Sequence, residues 1–260
     1  MASIVPSSSK LQIRPATPSD VPELVRIHFD AFGPGVMDRL MHPDGGSASA
    51  RANFGNSFFP QPKAASEPSL VEHITMVAEL VPAAKQGNGQ PEIIAFGKWK
   101  LVKKPLPEAE WSAKEEPLTV AQLGEGSDPA VYNVFLGGLH ELRKKWMRGD
   151  PALHLGILAC TTTRQRLGAG SALLDWGNAL ADREGMVHWL EASPQGYALY
   201  KRFGFEEVEA QDLRVTEIWG PVRGENEDWG AKSAVKLAGE LPEGVFRTVV
   251  MRRFPQKGQT

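Results

Sequence analysis

The chain lacks the features that mark several functional classes. Cys160 is the only cysteine among 260 residues, which excludes an intrachain disulfide and a cluster of thiolate metal ligands. His28, His42, His73, His140 and His188 show no metal-ligand spacing, so no metal site is expected. Neither sign of charge is in excess. The formal net charge is −2, and without a basic footprint neither nucleic acid nor an anionic membrane is expected as a partner. No apolar run approaches the roughly 20 residues that cross a bilayer. Residues 1–10 lack the apolar core of a signal peptide, and 257–260 carry no lipidation or peroxisomal signal. The expected location is the cytoplasm. No Gly-x-Ser-x-Gly elbow supports a serine hydrolase. What is present is an ordinary globular composition, 42% hydrophobic, enough for one sizeable core.

Periodicity divides the chain into strands and helices. Leu11–Arg14 alternates apolar and polar residues and predicts a first strand. Thr17-Pro18-Ser19-Asp20 then reads as a helix start, with Thr17 as N-cap, followed by Val21, Leu24, Val25, His28 and Phe32 at helical spacing. One further short helix is expected between Gly33 and Ala65. Ile74–Leu80 and Ile93–Val102 read as strands around a turn at Lys85–Gly89. Lys103–Asp128 is polar, Pro-rich and aperiodic, as expected of a surface excursion without regular structure. Val131–Trp146 predicts a helix whose Arg143, Lys144, Lys145 and Arg148 form a solvated face. His154–Cys160 has the apolar run of a buried central strand. Helices over 169–180 and 195–203 alternate with strands at Val187–Ala192, Phe205–Val208 and Val245–Arg252. The order is that of a mixed α/β, or α+β, single domain over 11–254. Short tails flank it at 1–10 and 255–260, and irregular insertions are expected at about 103–128 and 217–241.

One loop carries the chemistry. Gln165-Arg166-Leu167-Gly168-Ala169-Gly170-Ser171 stands between the central strand and an amphipathic helix. Glycines there let backbone approach a bulky anion, and the free N–H groups of the first helical turn point at it, so a pyrophosphate is the natural ligand. Arg164 and Arg166 are placed to add charge-assisted contacts at the rim. The loop lacks the Gly-Lys-Ser/Thr of a nucleotide triphosphate loop and the third glycine of a dinucleotide fingerprint.

The strand, the Gln165-x-x-Gly168-x-Gly170 loop and the helix together resemble the coenzyme A site of the GNAT (GCN5-related) N-acetyltransferases. Leu199-Tyr200-Lys201-Arg202-Phe203-Gly204-Phe205, on the helix after the next strand, is similar to a second motif of that family. The resemblance is specific over Leu153–Val208, and Leu190-Glu191-Ala192-Ser193-Pro194 is most similar to fungal members. It implies a GNAT fold, a mostly antiparallel mixed sheet flanked by helices, with acetyl-CoA or another acyl-CoA as co-substrate and no metal. It implies a primary amine as acceptor, more readily a small molecule than a protein, and a monomer or homodimer. Gln165, Arg166, Leu167, Gly168, Ala169, Gly170 and Ser171 would cradle the pyrophosphate. Leu158 and Cys160 would pair their main chain with pantetheine, and a bulge in that strand would leave an N–H for the thioester oxygen. Ser193 stands where many members have a pantetheine-contacting asparagine, and Thr162 replaces a frequent proline.

Tyr200 matches the family residue that protonates the departing thiolate; the alternative is a half-buried core tyrosine. Two candidates stand for the base. His154 has a suitable intrinsic pKa, against a purely structural hydrogen-bonding role. Glu191 is placed to accept the proton or bind a cationic acceptor, against an edge carboxylate paired with a surface Lys or Arg. Trp219 and Trp229 line an acceptor pocket or pack the second insertion. An inactive CoA-binding or interaction module on the same fold is the alternative to an enzyme.

Overall fold

The computed structural model describes residues 9–60, 70–82 and 90–256. The anticipated turn at Lys85–Gly89, residues 1–8 of the N-terminal tail and residues 257–260 lie outside them.

Seven strands form one sheet. They are β1 (Ser9–Pro15), β2 (Val71–Pro82), β3 (Glu92–Val102), β4 (Ala152–Cys160), β5 (Val187–Ala192), β6 (Glu206–Leu213) and β7 (Phe246–Arg253), in the order β1-β2-β3-β4-β5-β7-β6. Every neighbouring pair is antiparallel except β4–β5. The two-residue period of each strand separates two apolar layers. Met76, Ala78, Trp99, Leu101, Leu153 and Leu155 pack against α7 (Ala169–Glu184) and Tyr200 of α8 (Pro194–Arg202). Their neighbours Val77, Phe96 and Ala159 turn the other way, onto α1 (Val21–Phe32). Beside α1 on that second face, α6 (Pro129–Met147) covers Ala152, Trp189 and Val250 through Leu142 and Met147.

Thr17–Asp20 starts its helix as expected, through a 3-10 turn at Pro18–Asp20 that precedes α1. The Thr17 backbone N–H donates to Asp20 Oδ2 at 2.7 Å, and Arg14 adds a bond of 2.8 Å to the same oxygen. Arg14 holds the Asp20 carboxyl down at about 2. Three expectations need correction. Two helices, α2 (Val36–Met41) and α3 (Ala48–Asn56), occupy the stretch where one was expected. The excursion 103–128 contains α4 (Glu108–Trp111) and α5 (Val120–Leu123), and 217–241 is bordered by α9 (Val215–Trp219) and contains α10 (Val235–Ala238). Helices this short complete about one turn and leave no periodic signal; the Thr119–Gln122 capping box was the cue for α5. β6 runs to Leu213, beyond the expected Val208, because the polar Glu209, Gln211 and Asp212 continue the strand at the sheet edge. The second insertion is tied down by Arg247 of β7. Its fully buried guanidinium meets Asp212 with two bonds of 2.7 Å and reaches the carbonyls of Ser233 and Gly239.

A neutral polar lock joins β3, α7 and β5 inside the first layer. Trp99 Nε1 donates to His188 Nε2 at 3.2 Å, and His188 Nδ1 donates to Asn178 Oδ1 at 2.8 Å. Gly177 makes room for it: a Cβ there would stand 2.9 Å from Trp99 Nε1. Burial pushes His188 from 6.5 down to about 3, so the folded chain keeps it neutral. This contribution to stability is complete above pH 6.5 and is lost as the pH falls from 6.5 toward 3. Over that window His188 should add about 1.4 kcal/mol per pH unit to the slope of unfolding free energy. Urea unfolding between pH 7 and 4 measures the slope; His188→Gln should reduce it by that amount, and an unchanged slope would contradict a neutral buried His188.

Candidate active site

The site begins where the sheet comes apart. β4 and β5 pair in parallel over Ala152–Leu155 and Val187–Leu190, and there the pairing ends. Beyond it β4 stays on β3 as far as Cys160, while Glu191 and Ala192 of β5 stay on β7. The two strands therefore diverge and leave a wedge. Gly156 sits at its apex. Lys98 pairs with Ile157 and Trp99 with Leu155, so Gly156 is the extra residue of a β-bulge, solvent-exposed in the middle of a central strand. Leu158 and Cys160 lie on the diverging arm, half-buried, with no strand on the β5 side among the described residues. The Cys160 thiol is pushed up to about 11, by burial first and Asp30 second, which removes its thiolate at neutral pH.

The loop after β4 opens into the N-terminus of α7. Arg166 (φ 66) and Gly168 (φ 88) are both left-handed. For glycine that is free; for arginine it costs roughly 1–3 kcal/mol, a strain characteristic of functional loops. Among the described residues no side chain caps α7, whose first residues are Ala169, Gly170 and Ser171. Its first-turn N–H groups and the positive end of its dipole thus face outward. A Cβ on Gly170 would come within 3.7 Å of Leu199 and 4.0 Å of Leu158, so the loop, β4 and α8 converge there. The loop's start is anchored by Asp30 of α1, which accepts from Thr161 Oγ1 at 2.5 Å and from the Thr162 backbone at 2.7 Å. Gln165 and Arg166 are exposed, whereas Arg164 is drawn aside by Glu92 with two bonds of 3.1 Å.

Both sequence candidates for the base meet at the other side of the apex. His154 Nε2 lies 2.9 Å from Glu191 Oε2, and Arg143 of α6 clasps Glu191 with bonds of 2.7 and 3.0 Å. All three groups are substantially enclosed, His154 and Glu191 at 7% side-chain exposure each. Burial raises the Glu191 carboxyl, but the His154 and Arg143 bonds outweigh it and hold the carboxyl well below its ordinary range. Burial also lowers His154, against the pull of Glu191, and keeps it neutral. In that state Nε2–H donates to the carboxylate and Nδ1 keeps its lone pair. Nδ1 has no hydrogen-bond partner among the described residues, and the ring's Cε1 stands 4.0 Å from where a Gly156 Cβ would be. A carboxylate that orients an imidazole whose second nitrogen is open is an arrangement able to take up a proton.

Across the wedge, Tyr200 is buried in the layer under α8, its pKa raised by burial and by Glu191. Its hydroxyl carries a proton at neutral pH and makes no hydrogen bond among the described residues. A Cβ on Gly196 would fall 3.3 Å from it. Ser193 caps α8, accepting from Gly196 N at 3.4 Å, which leaves its own hydroxyl proton to donate.

Arg143 corrects the sequence reading of α6 as a helix with a solvated basic face. It turns inward, while the expected core residue Trp146 is 37% exposed. The available cue was its place four residues after buried Leu139. Asp30 had no cue, since its partners are 131 residues away. Trp229 is buried with Phe246 and Val215, the packing role rather than the lining one, although its edge also borders a cavity of about 840 Å³ under the second insertion. That cavity touches neither the wedge nor α7. Among the described residues no cluster of His, Cys, Asp and Glu could hold a metal ion.

No protein-family model matches the chain, and comparison with curated proteins finds no relative. Solved structures do match. A histone acetyltransferase HPA2 and related acetyltransferase from Corynebacterium glutamicum is 21% identical over 97% of this chain and 99% of that one, with a TM-score of 0.51. Arylalkylamine N-acetyltransferase 2 from Aedes aegypti is 11% identical over 95% of this chain and 100% of its own, at a TM-score of 0.55. The C-terminal condensation domain of Ebony, in complex with beta-alanyl-dopamine, gives 10% identity over 95% and 99%, also at 0.55. The chain has the GNAT fold, a seven-stranded mixed sheet flanked by helices.

The buried network has a stability consequence. Glu191→Ala strands Arg143 and His154 without their shared acceptor and should cost about 3–5 kcal/mol. Glu191→Gln keeps an acceptor and should cost less. The wild-type contribution is present above the ordinary carboxyl value of 4.5 and is lost as the pH falls below it. Denaturant unfolding at pH 7 checks both variants; a Glu191→Ala loss under about 1 kcal/mol would contradict a buried, mutually dependent trio.

Proposed function

We propose that this protein is an acyl-CoA-dependent N-acyltransferase that moves an acetyl group from acetyl-CoA to a primary amine. The observation that carries the reading is the wedge between β4 and β5, with a bulge at its apex and an uncapped helix N-terminus at its mouth. The residues fit the co-substrate. A strained Arg166 and a left-handed Gly168 turn backbone toward a pyrophosphate, with Gln165, Leu167, Ala169, Gly170 and Ser171 completing the cradle. The unpaired β5 side of Leu158–Cys160 has the spacing to receive pantetheine as an added strand, with Ser193 donating from the opposite arm. A thiol mechanism through Cys160 is disfavoured by its raised pKa.

In this reading acetyl-CoA supplies the thioester carbon that the amine attacks. His154 Nδ1 receives the proton that the incoming ammonium loses, and Glu191 acts as its positioning residue, with Arg143 behind it. Backbone freed by the Gly156 bulge donates to the carbonyl oxygen as negative charge develops there. The N–C bond forms, the C–S bond breaks, and the Tyr200 hydroxyl gives its proton to the leaving sulfur. A primary amine acceptor is consistent with the amine named for the arylalkylamine enzyme of similar fold. A fungal-type subgroup rests on Leu190–Pro194 alone. We take the protein to work in the cytoplasm, as a monomer or homodimer; no described helix is long and apolar enough to cross a membrane.

Calorimetric titration with acetyl-CoA tests the first half. Wild type should bind, and Gly168→Trp, which puts a bulky side chain on a left-handed residue at the cradle, should abolish it. Failure of the wild type to bind acetyl-CoA, CoA or a longer acyl-CoA would overturn the proposal. Tyr200→Phe tests the second half: kcat should fall by about a hundredfold or more with acetyl-CoA affinity preserved. An unchanged kcat would remove Tyr200 from the acid role, and binding without turnover by the wild type would reduce the protein to a CoA-binding module. Because burial lowers His154, kcat/KM should lose its base form only below pH 6.5. Glu191→Gln should move that acid limb to still lower pH, since the carboxylate is what raises His154.

A further inference from the structure

β3 sends two lysines to the face opposite the α7 layer. Trp99 and Leu101 turn inward at 0% and 2% exposure, so Lys98 and Lys100 project toward the side where α1 and α6 lie. The ladder sets them beside the reacting end of β4: Lys98 stands opposite Ile157 and Lys100 opposite His154, with the Gly156 bulge between.

Neither ammonium meets a carboxylate among the described residues. Lys98 Nζ donates to Ser57 O at 2.6 Å and to Ser57 Oγ at 2.9 Å, both neutral, and Lys100 forms no hydrogen bond or ion pair among the described residues. The carboxylates within electrostatic reach of Lys100 are already taken. Glu191 is held by Arg143 and His154, and Glu115 by His140 Nδ1 at 3.0 Å. Lys98 is lowered to about 8, by burial first and by Lys100 second. Lys100 is reached by solvent, yet enclosure by protein lowers it too, with Arg143 adding to the effect. On this face Lys100 is exposed and Lys98 half-buried, next to the Gly156 bulge on the neighbouring strand. Holding two such cations side by side is unfavourable until an anion sits between them.

We propose that this face of β3 and β4 receives the acceptor, and that the acceptor is a small amine bearing a carboxylate, such as a free amino acid. Its carboxylate bridges Lys98 and Lys100 while its amine lies against His154. The cross-strand placement of Lys100 and His154 suits a molecule in which the two groups are a few bonds apart. Selection then comes from charge: an uncharged acceptor leaves Lys100 without an anion, and Lys98 with only the Ser57 oxygens and the Phe58 ring, 5.1 Å away, as partners. This inference rests on the acyl-transfer reading and names the substrate class of the same site.

The test measures CoA thiol release by the full-length protein with matched acceptors: phenylalanine and glutamate, their methyl esters, and phenethylamine. Removing the carboxylate should lower kcat/KM by about ten- to a hundredfold, chiefly through KM, the range of a charge-assisted hydrogen bond. Lys100→Met and Lys98→Met should each shrink the ratio of acid to ester, and Lys100→Glu should bring it to one or below. Acetyl-CoA affinity, measured by calorimetry on each variant, reports that the fold is intact. If the wild type binds acetyl-CoA and turns over esters and phenethylamine as well as the acids, the carboxylate inference falls and acyl transfer stands. The same follows if the ratio survives all three substitutions. If the wild type binds no acyl-CoA, both fall.

Discussion

The separation of β4 from β5 is the constraint on which the rest of the molecule depends. Parallel strands that pair over four residues and then diverge have backbone groups that no strand satisfies. Three devices hold that open geometry. The Gly156 bulge bends β4 away at the last paired position. Antiparallel pairing with β7 carries β5 in the other direction as far as Ala192. Asp30, reaching from α1, fixes Thr161 and Thr162 where β4 ends, so the following loop starts from a set position. Each acts through backbone geometry, and together they bring the uncapped end of α7, the main chain of β4 and Tyr200 of α8 around one opening.

Two buried polar groups flank this opening and differ in kind. Trp99, His188 and Asn178 form a chain of neutral hydrogen bonds in the α7 layer, where no charge needs a counter-charge. Arg143, Glu191 and His154 carry one cation and one anion across the other face, where burial is tolerated only because each partner is bonded. The second group sits at the apex, and its His154 Nδ1 has no hydrogen-bond partner among the described residues. In the first, both ring nitrogens of His188 are bonded. The segment between β3 and β4 supplies α6 and with it Arg143, so a helix before the stretch Leu153–Val208, where the resemblance is specific, completes the apex. Lys98 and Lys100 extend the same face with positive charge that the protein does not itself neutralise.

Much of this was legible in the chain. The alternation of Leu11–Arg14, the apolar run before Cys160 and the helical stripe of α7 depend on local periodicity, which sequence records directly. The loop Gln165–Ser171 was legible as a motif because glycine is the residue a left-handed backbone position favours, and Gly168 adopts that conformation. The candidates His154, Glu191 and Tyr200 were recognisable one at a time, by residue type and position. The short helices α4 and α5 were not, since one turn has no period to detect, and β6 was cut short because an edge strand tolerates polar residues on both faces.

By itself, then, the sequence determined the order of the strands and longer helices, the glycine-containing loop before α7 and the candidate residues His154, Glu191 and Tyr200. Only the tertiary structure decided which of them meet. His154 and Glu191, rival bases on separate strands, become one unit because β4 and β5 lie side by side. Arg143 leaves the solvated face because a buried carboxylate 48 residues away draws it in. Asp30 acquires its role from a loop 131 residues distant. Periodicity reports which way a side chain points, and electrostatic partnership depends on what the fold places opposite it.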